Sequence, residues 1–168
     1  MADKLEISDL IPRLPGNSKL TVSASASIDG FLKIKVKNIP EAQILNSIKN
    51  AIDRASSRIT VDLKAALDEA MMSDVWATTK GRGDIYETGE LMDSGRVTMS
   101  SNGIKIVYTA PYASLVHYGG YIHPYGNKSL SVYLPPRPWV ESVLNGLGPI
   151  RKFDFAKYYR EEIENTFK

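Results

Sequence analysis

Two histidines, His117 and His123, are the only imidazoles in the chain, and cysteine is absent. Acid–base chemistry near neutral pH would therefore begin at one of these two rings. His117 could serve as a general base, with Glu90 or Asp93 orienting the ring and Ser94 or Ser114 supplying a nucleophilic hydroxyl. The spacings that usually deliver such a site are missing. No Gly-x-Ser-x-Gly elbow lifts a serine onto a sharp turn, and no His-Glu-x-x-His pair sets two imidazoles on one helix face. A zinc site would have two histidines, no thiolate and no carboxylate at a matching interval. Read from its neighbours, His117 is a hydrogen-bonded structural residue on a short helix among aromatics. The residues thus point away from an enzyme, with no catalytic residue, cofactor or metal expected. A small hydrolase or metal-binding enzyme built on His117 and nearby carboxylates is the alternative.

The aromatics Tyr108, Tyr112, Tyr118, Tyr121, Tyr125, Tyr133 and Trp139 crowd one stretch of sequence. Rings interleaved with cations can stack nucleic-acid bases, but only Lys128 and Arg137 stand near these, without a basic run. Tyr and Trp also suit protein interfaces, where the ring is buried and the polar end stays wet. The second reading fits this stretch better. A second group, Lys33, Lys35 and Lys37, lies on one face of a strand and could touch phosphate, the basis of a nucleic-acid-binding alternative. Twenty-one basic against nineteen acidic side chains give a net charge of only +2. So balanced a chain makes the three lysines a solvated face that also protects a sheet edge.

The elements that must hold these residues follow from periodicity and turn chemistry. With 168 residues, 43% hydrophobic and 24% charged, the chain suits one globular domain plus an arm, and excludes disorder, collagen-like repeats and a rod. No apolar run reaches the length of a membrane span, and Met1–Glu6 carries acids unlike a secretory signal. Residues 1–19 read as an extended arm: Ile7, Leu10, Ile11 and Leu14 are apolar, but Pro12, Pro15 and Gly16 break any regular element. The arm either folds back on its own domain or orders against a partner. Residues 20–37 read as a β-hairpin turning at Asp29-Gly30. Pro40 opens a long helix, 40–77, with a stripe at Ile44, Ile48, Ile52, Ile59, Leu63 and Leu67. One small sheet covers only part of such a stripe, which makes Ile48, Ile52, Ile59 and Leu63 candidates for contact with another molecule. A kink at Ser56-Ser57 would be the other way to cover it. Thr79–Asp84 reads as a connecting loop. Residues 86–168 hold a short helical turn, a hairpin at Asn102-Gly103, a helix ending at Gly119-Gly120, a strand within Leu130–Leu134, and helices from Trp139 and from the Asp154 cap. These give an α+β domain over 20–168, with the long helix and shorter C-terminal helices on a small, mainly antiparallel sheet.

Four pieces carry a resemblance, in order: Thr88-Gly-Glu-Leu-Met-Asp-Ser-Gly95, a two-stranded unit, Ala110-Pro-Tyr-Ala-Ser-Leu-Val-His-Tyr-Gly-Gly120, and Pro135-Pro-Arg-Pro-Trp-Val140. Following a long helix, this series resembles the tail-completion, or neck and head–tail joining, proteins of long-tailed bacteriophages. Trp139 stands where that family usually has Phe, and the arm and hairpin before residue 40 are additions. The resemblance implies a structural virion protein, a ring subunit that joins the tail to the head or terminates the tail. Its partners would be further copies of itself, most simply six, the neighbouring connector and tail-tube proteins, and DNA passing through the ring without sequence-specific binding. No membrane is involved. The virion neck or tail would be its place, after assembly in the host cytoplasm. Candidate interface residues are then Ile48, Ile52, Ile59, Leu63, Tyr112, His117, Tyr118, Tyr121, Arg137 and Trp139.

Overall fold

A computed structural model of the chain describes residues 20–24, 41–76, 85, 88–100, 103–123 and 129–167. The arm 1–19, the returning half of the 20–37 hairpin with its three lysines, and the loop Thr79–Asp84 lie outside the described residues. The fold is α+β, as the patterns require.

One helix, α1 (Glu41–Met71), runs for 31 residues, about 46 Å at 1.5 Å per residue. Ala51, Ala55, Ile59, Leu63, Leu67 and Ala70 are all buried along it, the stripe that steps of three and four demand. There is no break at Ser56-Ser57. The hydroxyls of Ser56, Ser57 and Thr60 donate back to the carbonyls of Ile52, Asp53 and Ser56, so these residues are satisfied inside the helix. The helix ends at Met71, short of the expected 77. The Trp76 indole N–H and the Ser73 backbone N–H both donate to the Ala70 carbonyl, which a continuing helix would need for Asp74. The chain tightens instead into a 3-10 turn, Asp74–Trp76.

Next come α2 (Glu90–Asp93), β2 (Gly95–Ser100) and β3 (Gly103–Tyr108). The two strands form an antiparallel hairpin in which Gly95 faces Tyr108 and Ser100 faces Gly103. The first strand, β1 (Leu20–Ala24), pairs with the far side of β3, Leu20 opposite Tyr108, giving the order β1-β3-β2. Ile104, Ile106 and Tyr108 alternate onto the buried face of β3 and meet the α1 stripe together with Val97. Gly95 is needed for close approach, since a Cβ there would sit 2.6 Å from the Tyr108 ring.

The remaining elements are α3 (Ala113–Tyr118), β4 (Gly120–Ile122), β5 (Val132–Leu134), α4 (Trp139–Asn145) and α5 (Phe155–Thr166). Strands β4 and β5 make a separate two-stranded antiparallel ribbon with Tyr121 opposite Tyr133. Helix α4 inserts Trp139, Val140, Val143 and Leu144 into the core. The Asp154 side chain accepts the Lys157 N–H at the start of α5, the capping expected of it. Helix α5 lies along α1, clamped by Arg54 and Arg58 on Glu162, Arg58 on Glu161, and the Tyr158 hydroxyl on Asp62. Among the described residues no helix is long and apolar enough to cross a membrane.

Candidate functional site

Two of the resembling pieces, Ala110–Gly120 and Pro135–Val140, meet at one joint, where α3 ends, the β4–β5 ribbon leaves, and Pro135–Pro138 leads into α4. The backbone N–H of Arg137 donates to the carbonyls of both Val116 and His117, which ties the proline-rich segment to the end of α3. Gly119 makes the close crossing possible. Its φ is +73°, and a Cβ there would lie 2.7 Å from both the Leu134 oxygen and the Pro136 nitrogen. The Ser142 hydroxyl donates to the Pro138 carbonyl and secures the first turn of α4.

His117 sits at the centre of this joint and is fully enclosed. Its ring lies 4.6 Å from the rings of both Tyr118 and Trp139, edge-on to each, and Trp139 in turn meets Tyr108 edge-on at 5.3 Å. The Glu141 carboxylate approaches His117 Nε2 at 2.6 Å, in a contact that lacks the direction of a hydrogen bond. The Tyr118 hydroxyl and Arg137 Nε are also buried there without hydrogen-bond partners, and the Tyr108 hydroxyl is buried beside the Trp139 indole N–H. Burial pushes the Tyr118 phenol above its usual range, and the nearby Glu141 charge adds to the shift. Burial raises Tyr108 further, against a smaller opposing effect of the Trp139 indole N–H.

The carboxylate beside His117 is Glu141, not Glu90 or Asp93. Glu90 accepts the Tyr112 hydroxyl, and the Ser94 hydroxyl donates to the Leu91 carbonyl. The His117 ring has no solvent-exposed surface. His123 is exposed, with Nδ1 3.0 Å from the Leu130 carbonyl oxygen. Among the described residues no three His, Asp or Glu side chains cluster as metal ligands.

The expected interface residues divide. Ile59, Leu63, His117 and Trp139 are internal, each fully buried in this chain's own core. The sheet, α4 and α5 cover the apolar stripe of α1 from Ala51 onward. Ile48 and Ile52 are half-buried, and Leu45 is exposed. Tyr112, Tyr118 and Arg137 are half-buried. Tyr121, at 69% relative exposure, is the one clear surface residue of the set. Tyr133, named with the aromatic stretch, is exposed on the same ribbon beside Val132, and Leu130 before the ribbon and Val61, Met72 and Val75 on and beyond α1 are exposed without a sequence signal. Tyr121 and Tyr133 form a cross-strand pair with ring centroids 5.2 Å apart. A signal for Tyr133 existed in its place two residues before Pro135, where the strand must end. Val61 lies off the helical stripe and had none.

An open groove of about 420 Å³ runs between the second half of α1, α4 and the start of α5, floored by Ala66, Val143, Phe153 and Tyr158. No family model, curated protein or solved structure matches the chain.

Proposed function

We propose that the chain is a structural subunit of a tailed-bacteriophage neck or tail end, one that closes into a ring and joins the tail to the head or terminates the tail. The observation that supports this reading is the joint around His117. The four sequence pieces carrying the resemblance each contribute side chains to one hydrophobic core, and the last two are tied together at the end of α3. The joint leaves the aromatic β4–β5 ribbon exposed, as a subunit that makes further contacts would. Its partners are copies of itself, six by the resemblance, with connector and tail-tube proteins above and below. DNA passes without sequence-specific contacts, and no cofactor takes part. The enclosed His117 weighs against the hydrolase reading.

Native mass spectrometry of the purified chain, alone and mixed with purified tails, tests the proposal. A closed oligomer on the tails is expected, with assembly withheld from dilute protein where a neighbouring ring acts as template. A chain that stays monomeric in the presence of tails and heads contradicts it.

A further inference from the structure

The groove between α1, α4 and the start of α5, about 420 Å³ in volume, has the size of an ordinary binding cleft. The segment from Gly146 into α5 forms one wall, and that wall is firmly held. The Phe153 N–H donates to the Val143 carbonyl. Gly146, at φ +72°, folds the chain back so closely that a Cβ there would lie 2.8 Å from the Lys152 Cβ. The Phe153 ring stacks on Tyr158, with centroids 5.3 Å apart and planes 11° from parallel. The Tyr158 hydroxyl in turn donates to Asp62 on α1. A wall fixed before a ligand arrives leaves little ordering entropy to lose on binding.

Arg151, Lys152 and Lys157 line the groove from this wall, and all three are exposed. Among the described residues Arg151 and Lys152 form no ion pair, and Lys157 reaches Glu161 only at 3.8 Å. Two carboxylates share the lining. Asp154 is engaged with the Lys157 N–H, and Glu69 belongs to α1. The floor is apolar, made by Ala66, Val143, Phe153 and Tyr158.

This lining selects among anions. A nucleic acid would bring its phosphates against Glu69 and Asp154. Its bases would find little ring face to stack on, because Phe153 lies on Tyr158 and the Arg58 guanidinium sits 5.2 Å from the Tyr158 centroid. An acidic peptide suits every part of the lining. An aliphatic side chain fits the floor, carboxylates on either side of it meet the cations, and backbone N–H groups donate to Glu69. We propose that the groove binds an acidic peptide segment of a partner protein, with an apolar side chain on the floor and carboxylates on Arg151, Lys152 and Lys157. The proposal stands apart from the ring reading, since it needs no second copy of this chain.

Fluorescence anisotropy with a labelled peptide, Glu-Glu-Leu-Leu-Glu-Glu, tests it on the full chain, and binding that weakens as salt is raised is expected. An exposed ion pair is worth up to roughly fivefold in affinity, and reversal adds repulsion, so R151E/K152E should weaken the peptide by about tenfold or more. Both side chains are exposed, which spares the fold. K49E/K105E makes the same change of net charge at exposed positions outside the groove and should weaken binding by less than about twofold. Ser73→Phe, which fills the groove without changing its charge, should weaken the peptide as well. Equal losses for the two double variants, or unchanged binding in Ser73→Phe, overturn the proposal. So does the absence of measurable peptide binding. An equally labelled DNA duplex that binds more tightly than the peptide, and loses its binding in R151E/K152E, overturns it in favour of a nucleic-acid surface.

Discussion

Gly119→Ala puts the rigidity of the joint to a quantitative test. At φ +73° and ψ 177° the backbone occupies a region that glycine alone enters freely, and an L-residue held there costs about 1–3 kcal/mol. The new Cβ would also meet the Leu134 oxygen and Pro136 nitrogen at 2.7 Å and Pro136 Cδ at 2.9 Å. Two of these are backbone atoms and none is the far end of a flexible chain. Forcing them apart adds a further ~1–3 kcal/mol, as for other overpacked sites. The total is about 4 kcal/mol, the sum of the midpoints of those two ranges. Gly148 is the matched control: its φ is +63°, and a Cβ there meets nothing within 4 Å. Gly148→Ala then carries the conformational cost alone, about 1 kcal/mol. In urea, with a slope of about 2 kcal/mol per molar, the midpoint should fall by about 2 M for Gly119→Ala and about 0.5 M for Gly148→Ala, with the slope unchanged. Equal shifts for the two variants would refute the reasoning, because the ribbon and the proline segment would then yield without cost.

Three further outcomes follow from the packing. Ile59→Ala should cost about 2–5 kcal/mol in urea unfolding as an unfilled core cavity, and Ile59→Asp should abolish soluble folded protein, not merely assembly; a folded, assembly-defective Ile59→Asp would return that residue to an interface. The Glu162 carboxyl is held below its usual value of 4.5 by hydrogen bonds from Arg58 and then Arg54; stability from this group is therefore present above pH 4.5 and lost as pH falls through its folded pKa. Glu162→Gln should flatten the acid limb of the stability profile below about pH 4.5, and an unchanged limb would contradict the pairing. The Tyr158 phenol is pushed up to about 12 by burial, then by its hydrogen bond to Asp62. Its contribution is complete below pH 10 and lost as pH rises toward 12, so an absorbance titration should show a late-ionising tyrosine that Asp62→Asn brings earlier.

The α1 stripe was readable because a helix that buries one face must repeat its apolar residues every three or four positions. Gly103, at φ +121°, opens β3 and Gly146, at φ +72°, closes α4 where turn chemistry places them. What escaped reading was long-range. β1 finds its described partner in β3, at the other end of α1, and no local pattern encodes a pairing across that interval. Glu141 reaches His117 only because Pro135–Pro138 turns the chain back onto α3, so the nearer carboxylates Glu90 and Asp93 looked more plausible. The stripe also could not say how much of itself the chain's own α4 and α5 would cover. Ile59 and Leu63 therefore read as interface although they are core, while Met72, outside any periodic pattern, carries no signal of its exposure.

The central claim is that this chain is a ring subunit of the neck or tail end, and a cryo-electron reconstruction of the assembled virion tests it most directly. The account predicts a closed ring, six copies by the resemblance, in which the long α1 helix and the β4–β5 ribbon fit the density between head and tail or at the tail end. A map in which every neck and tail ring is built from other chains would contradict it.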